Sequence, residues 1–78
     1  MNKVIIDTAR TEQGYSAACS LLPGWVVAYS GDFEGFRQYV QESIDFEIEG
    51  YKERGTAYPD VFDGEYELYF KFDVRSLL

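Results

Sequence analysis

The segment Asp32–Gly55, DFEGFRQYVQESIDFEIEGYKERG, decides the fold. Phe33, Phe36, Val40, Ile44, Ile48 and Tyr51 recur at spacings of three and four, which places them in one apolar stripe on a helix. Asp32 is suited to cap the first turn, and Gly55 to end the last one in a left-handed conformation. A helix is therefore predicted over Phe33–Arg54. Gly35 and Gly50 each weaken it by roughly 1 kcal/mol relative to Ala, which the packing of the stripe must offset.

On the C-terminal side, Thr56 to Gly64 reads as a loop carrying Pro59, Asp60 and Asp63. Beyond it Tyr66, Leu68, Phe70, Phe72 and Val74 alternate with Glu65, Glu67, Tyr69, Lys71 and Asp73, the period of a strand with one face on a core. On the N-terminal side, Ser30-Gly31-Asp32 ends a strand running from Trp25 to Tyr29. Leu21-Leu22-Pro23-Gly24 is a turn, because Pro23 lacks an amide donor and Gly24 tolerates unusual dihedrals. Tyr15 to Cys19 alternates as a strand. It is joined to a first strand, Lys3 to Arg10 around Val4-Ile5-Ile6, by a turn at Thr11–Gly14 in which Gly14 is available for positive φ. The expectation is one α+β domain over residues 1–78, ordered β-β-β-α-β, with a mostly antiparallel sheet and one helix packed on one face. Such a sheet leaves its other face thinly covered, and dimerisation is the expected remedy.

Composition narrows the function. The chain has 78 residues, with seven Tyr, six Phe and one Trp to enlarge a small core, and a net charge of −7. That charge repels phosphate backbones and favours a basic partner, so no nucleic acid is expected on this domain alone. No run of about 18 apolar residues exists to span a membrane. The N-terminus has an acid too early for a signal peptide, and a single cysteine forms no internal disulfide; a cytoplasmic setting is expected. There is no His, no Cys–His ligand cluster and no phosphate-cradling glycine pattern. Cys19 shares a strand face with Tyr15 and Ala17 and reads as a small core residue. No enzymatic activity, cofactor or metal is expected. The one catalytic alternative is a divalent-ion site built from Asp7, Glu42 and Asp73, set against the ordinary scatter of outward-facing acids in an acidic chain.

A sharper feature lies on the helix. Glu42, Asp45, Glu49 and Glu53 fall on one ridge opposite the apolar stripe, at spacings where like charges cost roughly 0.2–0.5 kcal/mol per pair. Tyr39 and Phe46 flank it. Acids beside aromatics suit a basic protein whose Arg side chains pair and stack; a solvated face with two aromatics skirting the core is the other reading. Tyr39, Glu42, Asp45, Phe46, Glu49 and Glu53 are the candidate partner-binding residues.

In order and spacing, Gly14-Tyr15, Leu22-Pro23-Gly24, Ser30-Gly31-Asp32, Glu42-Ser43-Ile44 and the ending Gly64–Asp73 resemble the N-terminal domain of HicB-type antitoxins of type II toxin–antitoxin systems. The resemblance covers nearly the whole chain. It implies a bacterial antitoxin with a cut-down ribonuclease H-like fold that sequesters a small basic, mRNA-cleaving HicA-like toxin. It also implies a separate C-terminal DNA-binding module that represses the operon. Val74-Arg75-Ser76-Leu77-Leu78 reads as an abrupt apolar end ahead of that module. A stand-alone dimeric ligand-binding or structural domain is the alternative.

Overall fold

The computed structural model describes residues 2–72. The first strand, β1 (Asn2–Arg10), runs through the middle of the sheet. Thr11 turns the chain: its Oγ1 accepts from the amides of Gln13 and Gly14 at 3.3 and 3.0 Å, and β2 (Gly14–Ala18) returns antiparallel. A further turn follows, closed by the Leu22 amide on the Cys19 carbonyl and the Trp25 amide on the Leu22 carbonyl, both at 3.0 Å. Within it Pro23 is followed by Gly24 at φ 86°, the pairing that a tight turn with a left-handed third position requires. Strand β3 (Val26–Ser30) then pairs antiparallel with β2.

Asp32 accepts from the Gly35 amide at 2.9 Å and starts α1 (Phe33–Arg54); Gly55, at φ 68°, ends it. The crossover places β4 (Tyr66–Phe72) parallel to β1, with Ile6 opposite Phe70. The sheet order is β3-β2-β1-β4: a mixed sheet, antiparallel in two of its three pairings, with one helix on one face.

The core lies between that helix and the inward residues of the strands. Val4, Ile6 and Thr8 of β1 meet Ala17 of β2 and Phe36, Val40, Ile44 and Ile48 of α1. Cys19, Leu22, Trp25 and Phe62 extend the core beyond the regular strands. Phe33 and Tyr51, at the two ends of the predicted stripe, are half-buried. Tyr66, Leu68, Phe70 and Phe72 point inward as their alternation requires, yet stay half-exposed because β4 is an edge strand; Asp73 and Val74 lie outside the described residues.

Two expectations are corrected. Gly14 does not adopt positive φ. It opens β2, where a Cβ would overlap the Tyr29 carbonyl oxygen, so close backbone approach explains it. The stretch Thr56–Gly64 is not wholly irregular. A short 3-10 helix at Asp60–Asp63 drops Phe62 into the core against the Tyr66 ring, with 5.2 Å between centroids.

Candidate functional site

Six side chains were expected to share the solvent face of the helix, and α1 presents all six there. Tyr39, Glu42, Asp45, Phe46, Glu49 and Glu53 are all exposed, while Phe36, Val40, Ile44 and Ile48 anchor the opposite side. The anchoring keeps the face straight and fixed on the sheet. Phe46 is 82% exposed, the most exposed large apolar side chain among the described residues. It gains nothing from the fold where it stands.

Among the described residues, none of the carboxylates around it forms an ion pair. The ion pair recorded among the described residues joins Arg37 to Glu34 at 2.9 Å, one turn before the ridge. Asp45 accepts a hydrogen bond from Gln41 Nε2 at 3.1 Å, and the same nitrogen donates to the Tyr66 hydroxyl at 2.9 Å. That bridge ties the middle of the ridge to β4. Glu49 and Glu53 lie toward the negative end of the helix dipole, where acids are disfavoured; Lys52 and Arg54 in the last turn offset part of this.

Tyr39 has a support that the sequence did not reveal. Its ring sits 5.5 Å from that of Tyr29 on β3, and Tyr29 in turn lies 6.4 Å from Phe36. Tyr29 reaches this position because Gly35 has no side chain; a Cβ there would overlap the Tyr29 hydroxyl. Gly35 therefore trades helix propensity for an aromatic column that holds Tyr39 at the edge of the face. A second cross-link has Trp25 Nε1 donating to Ser43 Oγ at 3.0 Å. Tyr29 carried no signal in the sequence, because it acts through contacts between elements distant in the chain; Gln41 stands at helical spacing from Asp45, but its bond to Tyr66 spans 25 positions.

The divalent-ion alternative loses its geometry. Asp7 alternates with Ile6 and Thr8, which face the helix, so its carboxylate points out of the far side of the sheet. Glu42 points into solvent beyond the helix. The two stand on opposite sides of the domain, Asp73 lies outside the described residues, and no group of three ligating side chains occurs among the described residues. Cys19 is buried, and that burial pushes its thiol pKa up, away from a reactive thiolate. No helix among the described residues is long and apolar enough to cross a membrane.

Among the described residues, no layer covers the far face of the sheet. Ile5, Val26 and Tyr69 are 39, 71 and 50% exposed there, and Val26 borders a shallow hollow floored by Ala9, Ser16 and Ala18. Comparison with family models, with curated proteins and with solved structures found no match to this chain.

Proposed function

We propose that this domain binds a small basic protein through the outer face of α1, as a HicB-type antitoxin holds an mRNA-cleaving HicA-like toxin. The observation that carries the reading is Phe46, a large apolar ring held in solvent on a rigid helix and ringed by Glu42, Asp45, Glu49 and Glu53. Burying such a ring against a partner is worth about 1.5–3 kcal/mol, the scale of an interface anchor. The surrounding carboxylates add long-range attraction to a cationic surface and speed encounter. They also exclude polyanions from the same face.

Further support comes from the topology. Three strands, one helix packed on one face and a fourth strand is the order that the antitoxin resemblance implies. Sequestration by covering a toxin's RNA surface requires affinity from the antitoxin and no chemistry. Coupling to a DNA-binding module would make the same domain the sensor of a repressor.

The test is co-expression of the chain with the small basic protein encoded beside it, followed by calorimetry on the purified pair. Phe46→Ala is expected to weaken binding at least tenfold. The triple substitution Glu42→Lys, Glu49→Lys, Glu53→Lys is expected to slow association and remove its salt dependence. Unchanged affinity in Phe46→Ala together with unchanged association in the triple variant refutes the reading.

A further inference from the structure

The uncovered face of the sheet carries a charge pattern that the function proposed for the helix does not use. Its exposed side chains on β1 and β4 are Lys3, Ile5 and Asp7 beside Glu67, Tyr69 and Lys71. The parallel register sets Lys3 next to Glu67, Ile5 next to Tyr69 and Asp7 next to Lys71. Two positive and two negative groups thus balance on these two strands among the described residues, in a chain whose net charge is −7. The signs also alternate corner to corner around the apolar pair in the middle. Lys3 sits over the Tyr69 ring, 5.5 Å from its centroid, which places a cation at the rim of that pair.

A two-fold axis lying across the strands through Ile5 and Tyr69 maps this pattern onto its opposite. Rotation about it brings Lys3 over Asp7 of a second copy and Glu67 over Lys71 of that copy. Ile5 then meets Ile5, and Tyr69 meets Tyr69. Apolar centre and charged corners are matched by one operation, the self-complementarity that an isologous interface needs. The acidic ridges of the two copies lie on the outer sides of such a pair, as far apart as the fold allows. We propose that the occupant of this face is a second copy of the chain, packed sheet to sheet about that axis.

Six side chains are few beside the roughly 20–30 residues a side of a standard interface, so the dimer is a weak one, with a Kd on the order of 10–500 μM. Sedimentation equilibrium of the chain alone, from micromolar to millimolar concentration, is expected to show a monomer–dimer equilibrium. Asp7→Lys, which sets Lys against Lys3 of the other copy, is expected to weaken it at least tenfold while circular dichroism stays native. The fourfold exchange Lys3→Asp, Asp7→Lys, Glu67→Lys, Lys71→Asp keeps every opposite-charge pairing, within and between copies, and is expected to restore the dimer. Phe46→Ala, on the opposite side, is expected to leave it unchanged. A wild-type chain monomeric at 1 mM, an undiminished dimer in Asp7→Lys, no recovery in the fourfold exchange or a dimer lost in Phe46→Ala each overturns the proposal. No basic partner is present in these measurements, so they stand or fall apart from the reading of the helix face.

Discussion

Gly35 and Gly50 occupy the same helix, and propensity alone makes the same forecast for both: replacement by Ala should stabilise by up to about 1 kcal/mol. Their surroundings separate them. A Cβ at Gly50 meets only the guanidinium of Arg54, at 3.1 Å, the free end of a flexible side chain that swings away at little cost. Gly50→Ala is therefore expected to gain about 0.5–1 kcal/mol, or a rise of several degrees in Tm for a domain of this size. A Cβ at Gly35 overlaps the Tyr29 hydroxyl, stands 2.9 Å from its Cζ and 3.2 Å from the capping Asp32 Oδ1. Tyr29 must then leave its place between Phe36 and Tyr39, ring contacts each worth about 0.5–1.5 kcal/mol. Adding an overpacking cost of about 1–3 kcal/mol outweighs the propensity gain, and Gly35→Ala is expected to lose roughly 1–5 kcal/mol overall. Urea denaturation followed by circular dichroism measures both. Tyr29→Phe removes the overlapping hydroxyl and should recover part of the loss in the double variant, a coupling that a double-mutant cycle reads directly. If Gly35→Ala stabilises as Gly50→Ala does, the aromatic column does not depend on Gly35 and the argument fails.

Ser43→Ala leaves the Trp25 indole N–H without its partner and is expected to cost about 1–3 kcal/mol in urea unfolding; no loss would mean that water serves the indole equally well. Gly55→Ala forces a Cβ into φ 68° and is expected to destabilise by about 1–2 kcal/mol, with Gly55→Asn losing less, both read from Tm. Burial raises the Cys19 thiol pKa, so the unfolded chain ionises first as pH climbs through the ordinary thiol range, and that contribution to stability falls with rising pH. Labelling by a disulfide reagent at pH 8 should therefore track unfolding and accelerate with urea; fast labelling of the native chain would contradict the burial.

How much of this was legible in the chain depended on whether the signal was local. The helix bounds, its caps at Asp32 and Gly55, and its two faces follow from the spacing of six apolar residues and are found as read. Strand edges shifted by a residue or two, as with β2 starting at Gly14, because pairing partners rather than composition decide where a ladder stops. Gly14 was misread for the same reason: its constraint is the Tyr29 carbonyl across the sheet, 15 positions away in sequence. Phe62 in a Pro- and Asp-rich loop gave no periodic sign of entering the core. At the candidate face the six residues were legible because one helix carries them all. The support of Tyr29 from another strand and the bridge of Gln41 to Tyr66, which position two of them, were not. Nor was the charge pattern of the open face, since it exists only once β4 is set parallel to β1 in a definite register.

The two proposed surfaces lie on opposite sides of one helix-on-sheet layer, and this has a consequence for how they would act together. A dimer closed through Ile5 and Tyr69 buries neither Phe46 nor its carboxylates, and it turns one acidic ridge into two that face away from each other. Such an assembly binds two basic proteins independently in free solution, where no gain in affinity is expected. On a surface crowded with the basic partner, both ridges engage at once and apparent affinity rises with partner density. Asp7→Lys should abolish that density dependence while leaving the solution affinity of each ridge as it was. The pair of measurements separates the surfaces: lost affinity in solution would mean that Asp7 or its neighbours touch the partner. A density dependence that survives in a monomeric variant would mean that the avidity comes from rebinding at the surface and not from a second ridge.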